Sequence, residues 1–109
     1  MTEATDMTEA TDKTDALLAA LWQRNRPLID ERLGALDRAV AALLAGALTV
    51  EMRVEAAGVA HKLAGSLGMY GFDDGTRIAR EIEILLDYPT PDSARLASLT
   101  RQLRDSLAA

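Results

Sequence analysis

A chain of 109 residues, 49% apolar and 27% charged, can bury one modest core, and its lack of cysteine excludes disulfides, thiolate chemistry and cysteine-held metal. The formal net charge of −5 is uneven: Glu3, Asp6, Glu9, Asp12 and Asp15 against Lys13 place −4 within the first fifteen residues, so the remainder sits near −1. That remainder intersperses its arginines with acids at helical spacing, Arg77 with Glu81 and Arg101 with Asp105, which argues for solvated faces and against nucleic-acid binding.

Residues 1–12 are a tandem repeat, Met-Thr-Glu-Ala-Thr-Asp twice. Threonine and alternating acids give this stretch no surface to bury, so a disordered acidic tail is expected over residues 1–13, followed by one domain over 14–109. From Asp15 the pattern turns helical, with Leu17, Leu18, Leu21 and Trp22, then Ile29, Leu33, Leu36, Val40, Leu43 and Leu44 at spacings of three and four. Thr14 is the expected N-cap, and Pro27 is expected to separate a short leading helix from a longer second one. Trp22 reads as a cap on one end of the core rather than a binding residue. Gly46 and Thr49 mark a turn, and a helix follows from about Val50 to Tyr70, closed by Gly71.

On that helix, taking Leu63 as the centre of the buried stripe places Met52, Ala56, Val59, Leu67 and Tyr70 within about 40° of it at 3.6 residues per turn. His61, the one histidine of the chain, then lies about 160° away and faces water. Its neighbours on that side are Ala57, Gly58, Gly65 and Gly68. Each glycine inside a helix costs about 1 kcal/mol relative to alanine, and a passive surface would carry Glu, Lys, Arg or Gln there. Close approach of another molecule to His61 is the simplest return for that loss. An imidazole, largely neutral at pH 7, is a good nucleophile toward an activated phosphoryl group.

Further on, Phe72-Asp73-Asp74 reads as a staple and cap for a helix buried through Ile78, Ile82, Leu85 and Leu86. Thr90-Pro91-Asp92 repeats the start signal, with proline suited to a first helical position, and Leu96, Leu99, Leu103 and Leu107 form the last stripe. No segment sustains the period-two alternation of a strand. The expected fold is therefore all-α: an antiparallel four-helix bundle with a short extra N-terminal helix and a disordered N-terminal tail.

The stretch His61-Lys62-Leu63-Ala64-Gly65-Ser66, followed by Gly71 and by an amphipathic segment from Arg77 to Leu86 that contains Ile82-Glu83, resembles the histidine-containing phosphotransfer (HPt) domain of bacterial multistep phosphorelays. The similarity of arrangement extends over about residues 14 to 108, and its specific motif is a dozen residues long. The resemblance implies that His61 accepts a phosphoryl group from an aspartyl phosphate on a response-regulator receiver domain, in some systems one belonging to a hybrid histidine kinase, and passes it to another receiver. It implies a docking surface around His61 formed by Ala57, Gly58, Lys62, Ala64, Gly65 and Gly68, with Mg²⁺ and a lysine brought by the receiver and no cofactor or metal held by this chain. One departure stands out: the family's frequent lysine three residues after the histidine is Ala64 here, and the nearby lysine is Lys62. Lys62, about 100° round from His61, also fits an ordinary solvated helix position, and Ser66 reads as bonding the preceding turn rather than acting in catalysis.

Other classes fit less well. A self-sufficient kinase would need a glycine-rich nucleotide loop with its lysine, and a di-metal bundle would need Glu-x-x-His pairs where the chain has Gly58-Val59-Ala60-His61. The rival reading is an HPt-like module that docks a receiver or other signalling partner without turning over phosphate; Ala64 keeps it open. A third is a scaffold that dimerises through an exposed apolar helix face, although a monomer is expected. No apolar run approaches the roughly 20 residues of a membrane span, and no signal-peptide pattern opens the chain, so a cytoplasmic location is expected and no membrane partner.

Overall fold

The computed structural model describes the backbone from residue 2 to residue 108 and the side chains from Lys13 onward. It contains four helices: α1 (Thr2–Leu44), α2 (Val50–Met69), α3 (Asp73–Leu86) and α4 (Ser93–Ser106), and no strand among the described residues. Each helix packs on its neighbours in the chain, and α4 closes back on α1, while the diagonal pairs do not meet. One core fills the centre, built from Ile29, Leu33 and Leu36 of α1, Leu63 and Leu67 of α2, Ile78, Ile82 and Leu86 of α3, and Leu96, Leu99, Leu103 and Leu107. All of these belong to stripes of period three and four; on α1, α3 and α4 large apolar residues mark the stripe, which is why their apolar pattern translates directly into burial.

The start of the chain differs from expectation in two ways. Pro27 does not divide the helix: α1 runs through it without a break, so the expected short extra N-terminal helix is the first part of α1, and Thr14 lies inside it rather than capping it. The physical reason is local. Proline forfeits one backbone hydrogen bond, to the carbonyl of Gln23, but Pro27 and Gln23 are both exposed, so water can take up that carbonyl. Packing then holds both sides of the proline: Trp22 lies against Tyr70 and Phe72 with ring centroids 5.3 and 4.6 Å apart, Asn25 Nδ2 donates to the Tyr70 hydroxyl at 2.6 Å, and Ile29 is buried just beyond. Trp22 thus closes one end of the core. The tail expected as disordered over residues 1–13 is, from Thr2 on, helical backbone continuous with the rest of α1.

Helix ends follow recognisable chemistry. Gly46 (φ +69°) and Gly71 (φ +82°) take the left-handed conformation that lets the chain leave α1 and α2. After α2, Phe72 N donates to Leu67 O at 3.0 Å and Gly71 N to Gly68 O at 3.2 Å, the paired bonds of a Schellman ending. Thr49 and Asp92 cap α2 and α4 by accepting from the amides of Met52 and Arg95. Here Asp92, not a proline, opens α4, and Pro91 is buried just outside it. At α3 the expected aspartate cap is absent: Phe72 holds the cap position with no side-chain bond, and Asp73 and Asp74 lie in the first turn, where their charges favour the positive end of the helix.

A continuous helix through an exposed proline makes Pro27→Ala stabilising. Urea unfolding of the variant should raise the unfolding free energy by about 1–3 kcal/mol, the range set by the penalty for proline inside a helix.

Candidate functional site

The buried stripe of α2 consists of Ala56, Ala60, Leu63, Ala64 and Leu67, whereas Met52 is exposed and Val59 and Tyr70 are half-buried. The stripe is therefore centred about 45° round from Leu63, and His61 lies about 115° from its middle rather than opposite it. The displacement comes from the alanines: Ala60 and Ala64 carry too little apolar surface to mark a core face by size, yet they are what α3 closes upon. Thr76 Oγ1 of α3 donates to the Ala64 carbonyl at 3.1 Å, and a Cβ built on Gly68 would stand 3.2 Å from that same hydroxyl oxygen. Ala79 of α3 is fully buried in the core beside them.

This close approach carries Glu83 of α3 to His61. The His61 side chain is 74% exposed, and its Nδ1 lies 2.8 Å from Glu83 Oε2. An ionised carboxylate can only accept, so Nδ1 carries the proton and donates it to Glu83. In the neutral imidazole, Nε2 then holds the lone pair. The exposure and the tautomer together leave one nitrogen free as a nucleophile.

The expected docking residues divide. Ala57, Gly58 and Lys62 line an open hollow beside His61 together with Glu83, Ile84 and Asp87. Gly65 lines a second one, and a Cβ built on Gly58 or Gly65 would meet nothing within 4 Å, so neither glycine is required by packing inside the molecule. Ala64 and Gly68 are placed differently. Ala64 is 5% exposed and forms the floor of the second hollow instead of standing on an exposed platform, because its carbonyl side is held by Thr76. Gly68 is explained by the nearness of Thr76. Ser66 is a further correction: its hydroxyl accepts from Arg32 Nη1 of α1 at 3.2 Å, a bond between helices rather than to the preceding turn.

Two residues next to His61 were not singled out from the sequence as site residues, Glu83 and Arg80. A signal existed. On α3, Ile78, Ile82 and Leu86 define the buried stripe, and Arg80, Glu83 and Ile84 fall on its outer side at spacings of one, three and four. What the sequence lacks is which face of α2 that side meets. Of the expected surface pairs, Arg77 does reach Glu81 at 3.1 Å, but Arg101 and Asp105 form no ion pair among the described residues, and Arg104 instead pairs with Asp37 of α1. No group of three or more His, Cys, Asp or Glu side chains gathers as a metal site among the described residues.

Residues 17–109 match the Hpt domain family. The chain belongs to this family. Its Hpt domain places it broadly in two-component phosphotransfer signalling, where domains of this kind work with receiver domains. A curated relative, Protein RcaC of Microchaete diplosiphon, is 38% identical over 71 residues, which is 65% of this chain and 11% of that protein. The chain therefore spans about a tenth of that relative's length. No solved structure matches the chain. Among the described residues of this Hpt domain, no helix is long and apolar enough to cross a membrane.

If Gly58 and Gly65 are kept for an approaching molecule rather than for the fold, Gly58→Ala and Gly65→Ala should each raise the unfolding free energy by up to about 1 kcal/mol, since both lie within α2 with open space around them. Thermal or urea unfolding checks this; destabilisation would show that the glycines serve internal packing.

Proposed function

We propose that this chain is a phosphocarrier of a two-component phosphorelay, in which His61 receives a phosphoryl group from the aspartyl phosphate of one receiver domain and delivers it to another. The observation that carries the reading is the His61–Glu83 pair at 2.8 Å on a largely exposed imidazole. Glu83 holds the proton on Nδ1, so Nε2 attacks phosphorus in line as the bond from phosphorus to the aspartyl oxygen breaks, and the electron pair of that bond goes to the receiver's carboxylate. The imidazole becomes cationic on gaining the P–N bond, and Glu83 lies where it offsets that charge. Delivery to the next receiver is the reverse displacement, so no proton has to leave Nδ1 in either direction.

Phosphoryl transfer depends chiefly on positioning and charge neutralisation. On this reading the receiver brings the Mg²⁺ and its own lysine, and this chain contributes a nucleophile on a surface cleared by Gly58 and Gly65. Contacts between helices support an up-and-down antiparallel bundle beneath it: Asn25 meets Tyr70 and Arg32 meets Ser66 between α1 and α2, and His61 meets Glu83 while Arg53 meets the Leu86 carbonyl between α2 and α3. A cytoplasmic monomer, with no kinase activity of its own, completes the proposal. The alternative, a module that docks a receiver without exchanging phosphate, gains support from Ala64 in place of a lysine.

Incubation with a labelled, phosphorylated receiver domain tests both. Acid-labile, alkali-stable label is expected on the native chain and none on His61→Gln, whereas a pure docking module would bind the receiver and stay unlabelled. Glu83→Gln should slow transfer by about tenfold, the weight of one hydrogen bond to a charged group, while leaving the acceptor nitrogen in place.

A further inference from the structure

Two hollows flank His61, and they differ in charge. The one that holds Lys62 also holds two carboxylates, Glu83 and Asp87. The other, of about 270 Å³, is lined by His61, Ala64, Gly65, Arg80, Glu83 and Ile84, so its one cation, Arg80, faces a single carboxylate that already accepts from His61. Its floor is the methyl group of Ala64 and its rim is Gly65, where even a Cβ would meet nothing. A long side chain at position 64 would project into this hollow; with alanine there, the space is left to Arg80 from the facing helix.

Arg80 is also uncommitted. Arg26, Arg77, Arg95 and Arg104 each pair with a carboxylate, Arg53 bonds the Leu86 carbonyl and Arg32 bonds Ser66, whereas Arg24, Arg38, Arg80 and Arg101 make no ion pair or hydrogen bond among the described residues, and of these four Arg80 is the one that shares a hollow with His61. A guanidinium beside an exposed nucleophile, in a hollow of small residues, is suited to a tetrahedral dianion, which its fork of donors can bind through two oxygens.

Resting on the phosphocarrier reading above, we propose that Arg80 binds the phosphoryl group as it arrives on His61, supplying from α3 the cation that Ala64 cannot supply from α2. In the transfer step Nε2 forms the P–N bond as the donor's bond to phosphorus breaks, and the charge on the three phosphoryl oxygens stays at two throughout. Arg80 neutralises that charge on the side away from Asp87. It is thus a residue that touches the reacting group, and its effect falls on the rate of transfer rather than on docking.

The test uses a donor that needs no docking surface. With phosphoramidate, Nε2 displaces ammonia from the zwitterionic donor, so the rate of phosphohistidine formation reads the local site alone. The native chain, Arg80→Ala, Arg80→Lys, Lys62→Ala and His61→Gln are compared, with ³¹P spectra of the phosphorylated products. Arg80→Ala should be slower by about tenfold or more, the weight of a hydrogen bond to a charged group, and should shift the phosphohistidine ³¹P resonance, while Arg80→Lys keeps most of the native rate. An Arg80→Ala rate equal to native, or a Lys62→Ala defect as large as that of Arg80→Ala, overturns the assignment of Arg80. Absence of label on the native chain, from phosphoramidate and from phosphorylated receivers alike, overturns the phosphocarrier reading and this inference with it; label on the native chain with an unaffected Arg80→Ala removes only the latter.

Discussion

The packing of α3 onto the alanines of α2 is the constraint on which the site depends. Ala60 and Ala64 are 0% and 5% exposed, and the Thr76 hydroxyl bonds the Ala64 carbonyl one turn beyond His61. Small side chains at this seam bring the two backbones close, and the hydroxyl-to-carbonyl bond fixes how far one helix is slid along the other. Slide and separation together decide that Glu83, about two turns along α3 from Thr76, arrives at hydrogen-bond distance from His61. A bulkier residue at position 60 would move α3 outward, and a carboxylate 2.8 Å away would become one facing water. The tautomer of the histidine, and hence the nitrogen it presents, is thus set by core packing rather than by anything on the exposed surface.

The same seam explains what could be read from the sequence and what could not. The apolar stripes of α1, α3 and α4 carry Ile and Leu at regular spacing, so Ile29, Leu33, Ile78, Ile82, Leu96 and Leu103 were legible as core, and the glycine ending of α2 and the turn at Gly46 and Thr49 followed from local chemistry. On α2 the stripe is mostly alanine, and a reading that weighs apolar size leans toward Met52, Val59 and Tyr70 instead. The error is a rotation of about 45°, small enough to leave His61 exposed but large enough to hide that it borders α3. Glu83 and Arg80 were therefore missed as site residues even though their positions on α3 were evident. Pro27 was misread for a different reason: helix propensity is a local preference, and the contacts of Trp22, Asn25 and Ile29 on both sides of it are tertiary.

The arginines are unevenly committed across the bundle. Three arginines are tied to carboxylates or carbonyls between helices, Arg104 to Asp37, Arg95 to Glu81 and Arg53 to the end of α3, where they join the bundle at its surface. Exposed pairs of this kind contribute little stability each, typically under about 1 kcal/mol. Arg24, Arg38 and Arg101, away from His61, make no ion pair or hydrogen bond among the described residues. Near His61, Lys62 and Arg80 are likewise unpaired among the described residues, and what sets them apart is their place, one on each side of the imidazole.

Ala64 accordingly has two effects that pull in opposite directions. As a small residue facing α3, it permits the approach that gives His61 its carboxylate partner. As an alanine, it leaves the nucleophile without an amine one turn away on its own helix. A lysine at this position would fill the hollow that Arg80 and Ile84 line. Moving the cation to α3 removes that conflict, because the side chain that supplies charge then approaches from the far wall of the hollow and does not pass through the seam. The arrangement also makes charge and tautomer depend on one and the same contact: any change that separates α2 from α3 would withdraw Glu83 from Nδ1 and Arg80 from the phosphoryl position together. On the proposed reading, nucleophile, proton holder and cation are in this way coupled through helix packing, Glu83 by its direct bond to His61 and Arg80 through the hollow that all three line.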